Sequence, residues 1–128
     1  MIMGAHVLLY SEKPEEDRAF FRDVLEFPFI DVGRGWLIFG LPGVELAIHP
    51  ADGESKQAHA GHRLVPSVIY LMTDNLSCLM GMLKKKDIAC TEVEEESWGI
   101  RTTVRLPSGG EIGLYQPKHA TALQRNLD

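Results

Sequence analysis

The sequence predicts an α+β fold: two tandem β-α-β-β-β modules whose curved mixed sheets enclose a pocket. Two observations predict this class. Short apolar runs of strand length alternate with only two amphipathic helical stretches, and the same order of patterns occurs twice along 128 residues. A chain of this length with 45% hydrophobic residues has the size of one domain. We therefore expect a single domain over 1–128, with module 1 at about 4–50, a connector at 51–66, module 2 at about 67–117 and a C-terminal tail at 118–128.

Module 1 begins with a predicted strand and a predicted helix. Residues 5–10 are almost wholly apolar and precede Ser11 and Pro14, which is typical of a buried strand that leads into a helix with proline in its first turn. The helix has one apolar face, made of Phe20, Phe21, Val24 and Leu25. Pro28 ends it.

The next two apolar runs predict a hairpin, because 36–41 and 44–48 are separated only by a Pro-Gly pair. When the runs pair across this turn, one face is wholly apolar and the other is mixed. The mixed face holds Trp36, Ile38, Gly40, Glu45, Ala47 and His49. It is the candidate ligand-binding face of module 1.

Module 2 repeats this order after the polar connector. Residues 68–72 predict a strand, Asp74-Asn75 predicts the N-cap of a helix, and strands are expected at 88–93, 99–106 and 111–116. The last hairpin separates a core face from an opposite face. The core face carries Val104, Leu106, Ile112 and Leu114, and the opposite face carries Arg101, Thr103, Arg105, Gly113 and Tyr115.

Charge and composition limit the partners and the compartment. A net charge of −5 argues against nucleic acid, because binding to the phosphate backbone requires clustered Lys and Arg. No segment approaches the roughly 18 apolar residues of a membrane span, and the first residues lack the pattern of a signal peptide. Cys78 and Cys90 lack the spacing of a zinc site. We expect a cytoplasmic protein that binds neither nucleic acid nor membranes.

Three stretches in this order resemble the vicinal oxygen chelate superfamily, which includes glyoxalase I, bleomycin-resistance proteins and extradiol dioxygenases. They are His6-Val-Leu-Leu-Tyr10, Phe20-Phe-Arg-Asp-Val-Leu-Glu-Phe27 and Leu106-Pro-Ser-Gly-Gly-Glu-Ile-Gly-Leu114. Glu26 stands where the family usually has glycine. The resemblance implies the duplicated fold, a small-molecule ligand and a homodimer.

In metal-dependent members of the superfamily, four inward-facing residues hold a divalent ion. The resemblance places His6 and Glu45 at the first two positions, Val68 or Ser67 at the third and Gly113 at the fourth. The last two positions lack a usual ligand, so the implied metal site is incomplete and the cofactor is unknown. A third ligand remains open among His49, His59 and His62. Equally, His6 is explained by hydrogen bonding within its strand, and Glu45 by an ion pair with Arg101 or Arg105.

Two functional hypotheses follow from the resemblance. The first is a small-molecule-binding protein whose ligand is anionic or aromatic. Its predicted binding residues are Trp36, Ile38, His49, Trp98, Arg101, Thr103, Arg105 and Tyr115, together with Tyr70 or its strand neighbours, and with His6 and Glu45 as further polar groups. The alternative is a divalent-metal-dependent lyase, isomerase or dioxygenase acting on a substrate with vicinal oxygens. In that case His6 is a metal ligand and Glu45 is a ligand or the general base. A domain that serves only as a dimerisation or interaction module is a third, plainer interpretation.

Overall fold

The structure is a computed structural model, and it describes residues 6–48, 50, 57–64 and 67–122. These residues form helices α1 (Pro14–Ala19) and α2 (Leu76–Lys85), a π-helical turn (Phe20–Val24) and eight strands. The strands are β1 (Phe29–Asp31), β2 (Leu37–Phe39), β3 (Gln57–His59), β4 (His62–Leu64), β5 (Tyr70–Met72), β6 (Glu94–Glu96), β7 (Gly99–Arg105) and β8 (Glu111–Pro117). The predicted α+β class is confirmed.

Contacts along the chain group it into two compact units. The first is Met1–Leu41 with Arg105–Glu111, and the second is Pro42–Val104 with Ile112–Asp128. Within the described ranges, no helix has both the length and the apolar character needed to cross a membrane.

In the first unit, the predicted first helix changes its winding halfway. α1 spans six residues, and then Leu25 N–H donates to the carbonyl of Phe20 at 3.1 Å, the longer reach of a π turn. The wider turn lets the consecutive residues Phe20 and Phe21 both be buried, at 5% and 8% exposure. Asp17 of α1 is also buried, and its carboxylate accepts hydrogen bonds from the amide and hydroxyl of Ser108 at 3.0 and 2.7 Å.

The two predicted helices end with the same backbone geometry. Glu26 and Asp87 both adopt left-handed φ values, of 59° and 61°. The residue after each donates back to a helical carbonyl: Phe27 N–H to Phe21 at 3.1 Å, and Ile88 N–H to Leu83 at 2.9 Å. This arrangement favours glycine at the left-handed residue, so Glu26 and Asp87 both carry a side chain where glycine would fit better. The wider repeat of two complete modules stays a prediction.

The predicted hairpin of 36–41 with 44–48 is wrong. Leu37–Phe39 pairs instead with Phe29–Asp31, antiparallel, with Phe29 opposite Phe39. Described residues 6–10 and 44–48 form no strand, although both are apolar. A strand needs a neighbour that takes its backbone hydrogen bonds and covers its side chains, and Leu46 and Ile48 remain 87% and 86% exposed.

The described part of the connector contains a short hairpin. β3 and β4 form a hairpin in which His59 lies opposite His62. Ala60 and Gly61 both have positive φ, 51° and 82°, the geometry of a tight two-residue hairpin turn.

Module 2 forms a four-stranded sheet in the order β5-β8-β7-β6. β5 runs parallel to β8, with Tyr70 opposite Gly113, and β6 runs antiparallel to β7. The predicted core face is confirmed: Val104, Leu106, Ile112 and Leu114 are buried, and so are Leu76 and Leu83 of α2. The predicted cap is also confirmed, since the Asn75 side chain accepts from Cys78 N–H at 3.0 Å.

The strand predicted at 88–93 is replaced by one isolated bridge, Cys90 with Val104, followed by β6 at Glu94–Glu96. Thr91 accounts for the interruption. Its hydroxyl accepts from Thr103 N–H at 2.9 Å, so a side chain takes a hydrogen bond that a ladder would give to the backbone.

Candidate functional site

Three aromatic side chains of the second unit pack edge to face and form what we call the aromatic cluster: Tyr70, Trp98 and Tyr115. Their ring centroids are 5.4 Å (Tyr70–Tyr115), 5.6 Å (Trp98–Tyr115) and 6.2 Å (Tyr70–Trp98) apart, with interplanar angles of 87°, 77° and 78°. These are favourable aromatic geometries. Tyr70 and Trp98 keep 38% and 40% of their surface exposed, so the cluster offers aromatic surface to a ligand.

Two glycines allow the rings to come together. Tyr70 lies opposite Gly113 in the parallel pair, and a Cβ at residue 113 would overlap the Tyr70 ring. A Cβ at Gly99 would lie 2.6 Å from the carbonyl oxygen of Gln116 and 3.2 Å from the Tyr115 ring. The backbone beside Trp98 can therefore approach the end of β8, where Lys118 N–H donates to the Trp98 carbonyl at 2.9 Å.

The polar neighbour of the aromatic cluster is the carboxylate of Glu45, whose side chain is 18% exposed. The Tyr115 hydroxyl donates to Oε1 of Glu45 at 3.4 Å, and Ala122 N–H donates to Oε2 at 2.9 Å. Nε2 of His119 lies 3.3 Å from the Tyr115 oxygen and 4.0 Å from Oε1 of Glu45. A carboxylate, a phenol and an imidazole thus form one connected chain.

The hydrogen-bond partners determine where the protons lie among Glu45, Tyr115 and His119. Nδ1 of His119 lies 3.0 Å from the carbonyl oxygen of Ala120, which can only accept, so Nδ1 carries a hydrogen. Burial, followed by the negative charge of Glu45 and the hydrogen bond to it, raises the pKa of the Tyr115 hydroxyl. Tyr115 therefore stays protonated and donates to Glu45. The Glu45 carboxylate can accept a further hydrogen bond from a ligand.

Arg101 lies near this group, and its charge is already compensated. Its Nη2 lies 3.3 Å from a carboxylate oxygen of Glu94 and 3.2 Å from one of Glu96, while its guanidinium carbon lies 6.0 Å from the centre of the Trp98 ring. The ion pair expected between Glu45 and an arginine is replaced: Glu45 bonds to Tyr115 and Ala122, and Arg101 bonds to the acidic strand β6. β6 is the antiparallel neighbour of β7, which carries Arg101, so the carboxylates of Glu94 and Glu96 lie beside the guanidinium group.

The structure brings together some of the predicted site residues. The residues that meet in the second unit are Glu45, Tyr70, Trp98, Arg101 and Tyr115, and His119, which was not predicted, joins them. Three other predicted residues belong to the first unit: Trp36, Ile38 and the exposed Arg105. The backbone amide of Thr103 is hydrogen-bonded to the hydroxyl of Thr91. His49 lies outside the described residues. His119 was missed because the tail after β8 has no periodic pattern; the only available signal was a histidine four residues after an inward-facing tyrosine.

The described residues do not fit a divalent metal ion. Within them, no group of three or more His, Cys, Asp or Glu side chains is placed to hold one. Both oxygens of Glu45 already accept hydrogen bonds, Val68 is 83% exposed, and the space over Gly113 is filled by Tyr70. His6 is exposed and belongs to the first unit.

Comparison with known proteins gives solved structures of the same fold. No protein family model matches the sequence, and no curated protein matches it. A lactoylglutathione lyase from Agrobacterium tumefaciens superposes with a TM-score of 0.59 at 15% identity, covering 89% of this chain and 92% of that one. An antibiotic binding protein from Streptomyces sp. CB03234 gives 0.56 at 19%, covering 92% and 100%.

A third solved structure, from Sphaerobacter thermophilus, is a member of the glyoxalase/bleomycin resistance protein/dioxygenase superfamily. It gives a TM-score of 0.57 at 17% identity, covering 90% of this chain and 98% of that one. At such identities these likenesses establish a shared fold.

Proposed function

Because the chain has the fold of the glyoxalase/bleomycin resistance/dioxygenase superfamily, we propose that it is a small-molecule-binding protein whose ligand is aromatic. One observation carries the proposal: a partly exposed cluster of three edge-to-face rings adjoins a sheltered carboxylate. Ligand sites are typically apolar surfaces with a few placed polar groups. One solved protein of this fold is an antibiotic binding protein, which supports the same class of function here.

The polar end of the site favours a ligand that donates hydrogen bonds. Glu45 can only accept, and Tyr115 is held protonated. The anionic ligand that the sequence favoured depended on Arg101 and Arg105. Arg101 is compensated by two carboxylates, so we propose an aromatic compound carrying an amine or hydroxyl that reaches Glu45.

We further propose that the protein is a cytoplasmic homodimer. Cys78 and Cys90 are both free thiols, which suits a reducing compartment.

In the second unit, Leu46, Ile48 and Val68 are all more than 80% exposed, and exposed apolar surface of this kind is typical of interfaces. We propose that a second copy of this chain covers these apolar side chains. Light scattering of the parent and of Leu46→Glu tests it: the parent should have twice the monomer mass, the variant should be a monomer, and a monomeric parent would overturn the proposal.

The binding experiment uses a Trp36→Phe variant, in which Trp98 is the only remaining tryptophan because the chain has two. Its fluorescence is followed during titration with three planar aromatic compounds of one ring system, carrying an amine, a hydroxyl or a carboxylate. We expect saturable changes, with the amine and the hydroxyl compound binding more tightly than the carboxylate.

Glu45→Gln in the same background should weaken amine binding about tenfold, since a charge-assisted hydrogen bond contributes about 1.5–3 kcal/mol. Glu92→Gln, an equal charge change at an exposed residue, is the control and should bind like its parent. Absence of any saturable change would refute the aromatic site. Tighter binding of the carboxylate compound would refute the role of Glu45.

A further inference from the structure

A cleft lies within the first unit, between one face of α1 and the β1–β2 hairpin. Its volume is about 340 Å³, within the range of small-ligand pockets. Glu15, Arg18 and Arg22 line one side at helical spacing, and Phe29, Asp31 and Arg34 line the hairpin side. It shares no residue with the aromatic cluster.

The cleft concentrates arginine in an acidic protein. Three of its lining residues are arginines, while the whole chain has a net charge of −5. Arg22 is neutralised by its neighbour Asp23, through two hydrogen bonds of 2.7 and 2.8 Å. Neither Arg18 nor Arg34 forms a side-chain ion pair or hydrogen bond within the ranges that the structure describes. Two guanidinium groups are thus left to face a ligand.

Arg18 is oriented by an aromatic ring. Its guanidinium carbon lies 4.5 Å from the centre of the Trp36 ring, a cation–π contact that helps to hold the side chain in place. Arg18 is also half-buried. A planar fork held in this way is suited to two parallel hydrogen bonds with a carboxylate or a phosphate.

Arg34 is placed by a strained backbone. It has a φ of 54° and lies between Gly33 and Gly35, whose φ values are 137° and 81°. Asp31 stabilises the turn by accepting Gly33 N–H at 2.8 Å. A left-handed conformation disfavours arginine by about 1 kcal/mol relative to glycine. A third glycine would suit this turn better, and the arginine instead adds a cation to the cleft.

We infer that this cleft is a second ligand site, which binds an organic anion whose carboxylate or phosphate lies between Arg18 and Arg34. Phe29, which is 44% exposed, and Leu37 supply an apolar wall for the body of the ligand. Glu15 and Asp31 also line the cleft, and their carboxylates disfavour a second negative group on the ligand. The ligand is therefore a compact amphipathic anion.

The test uses a Trp98→Phe variant, in which Trp36 beneath Arg18 is the only tryptophan, so this experiment and the one on Trp98 fail independently. The probes are phenyl phosphate, benzoate and inorganic phosphate, with benzylamine as the cationic comparison. We expect phenyl phosphate or benzoate to change Trp36 fluorescence saturably and more tightly than inorganic phosphate. Affinity should fall as salt increases, and benzylamine should have no effect.

Arg34→Gly is the decisive variant, because it removes the cation while suiting the left-handed backbone. It should weaken anion binding at least tenfold and leave the melting temperature unchanged or higher. Arg63→Ala, an equal loss of charge at an exposed residue of the second unit, should bind like its parent. Unchanged affinity in Arg34→Gly, or no saturable response to any anion, would overturn the site. Equal affinities for phenyl phosphate and inorganic phosphate would overturn the role of the apolar wall.

Discussion

The ring of Tyr70 lies over Gly113, its partner in the parallel pair of β5 and β8, and occupies the space that a side chain at residue 113 would need. The resemblance implied a fourth metal position at Gly113, and the Tyr70 ring fills the space over that residue. The same contact places Tyr70 within the aromatic cluster.

Gly113→Ala should destabilise the protein by about 1–3 kcal/mol, because the added methyl group forces the Tyr70 ring or the strand to move. Urea unfolding measures the effect. Gly81→Ala is a matched control of opposite sign: nothing lies within 4 Å of its added Cβ in α2, so it should stabilise by roughly 0.5–1 kcal/mol. If Gly113→Ala unfolds at the urea concentration of the parent, the close packing of Tyr70 on Gly113 is wrong.

Asp87→Gly should stabilise the protein by about 1 kcal/mol. Asp87 has a φ of 61° at the end of α2, where glycine is favoured and where a negative charge opposes the helix dipole. Asp74→Gly removes an exposed aspartate that lacks a positive φ, and it should give no stabilisation. The rise in melting temperature decides the matter, and a lower melting temperature for Asp87→Gly would contradict the left-handed assignment.

Asp17→Ala should destabilise by about 1–3 kcal/mol, because the amide and hydroxyl of the half-buried Ser108 would lose their acceptor. Ser108→Ala should have a smaller effect, since the amide of residue 108 keeps its bond to Asp17. Glu16→Ala changes the exposed neighbour in the same helical turn and serves as the control. Equal unfolding transitions for Asp17→Ala and Glu16→Ala would show that the Asp17–Ser108 contact is not stabilising.

The Tyr115 hydroxyl should ionise above its ordinary pKa of 10.0. A folded-state pKa above the unfolded value contributes stability that is complete below pH 10.0 and is lost as the pH rises through the folded value. Absorbance at 295 nm, with Tyr115→Phe subtracted, gives the titration. Glu45→Gln should lower the pKa only in part, since burial is the largest cause. A Tyr115 that titrates below pH 10.0 would contradict the contact with Glu45.

Module 2 was largely predictable from sequence because its signals are local. Asn75 caps the helix that follows it. Val104 and Leu114 lie in adjacent strands whose apolar residues recur at every second position, and both side chains are buried as that two-residue period predicts. Module 1 was less predictable. Residues 6–10 and 44–48 have the composition of strands, but composition does not supply a pairing partner, and β2 pairs with Phe29–Asp31 instead.

The candidate site was predicted in part for a similar reason. Strand alternation correctly placed Arg101 and Tyr115 on the face opposite the core. It could not indicate that Glu94 and Glu96 would engage Arg101, or that the tail would bring His119 and the amide of Ala122 to Glu45. These contacts join residues far apart in sequence, and nothing periodic marks them.

The order β5-β8-β7-β6 determines when the chain can fold during synthesis on the ribosome. β8 is translated last of the four strands, yet it is the neighbour of both β5 and β7, so the sheet cannot close until residue 117 has emerged. The hydrogen bond between Asp17 and Ser108 can form only after Ser108, 91 residues further along the chain, has been synthesised. A nascent chain that stalls before the closing hairpin holds two unfinished units with unpaired apolar strands, the state on which chaperones act.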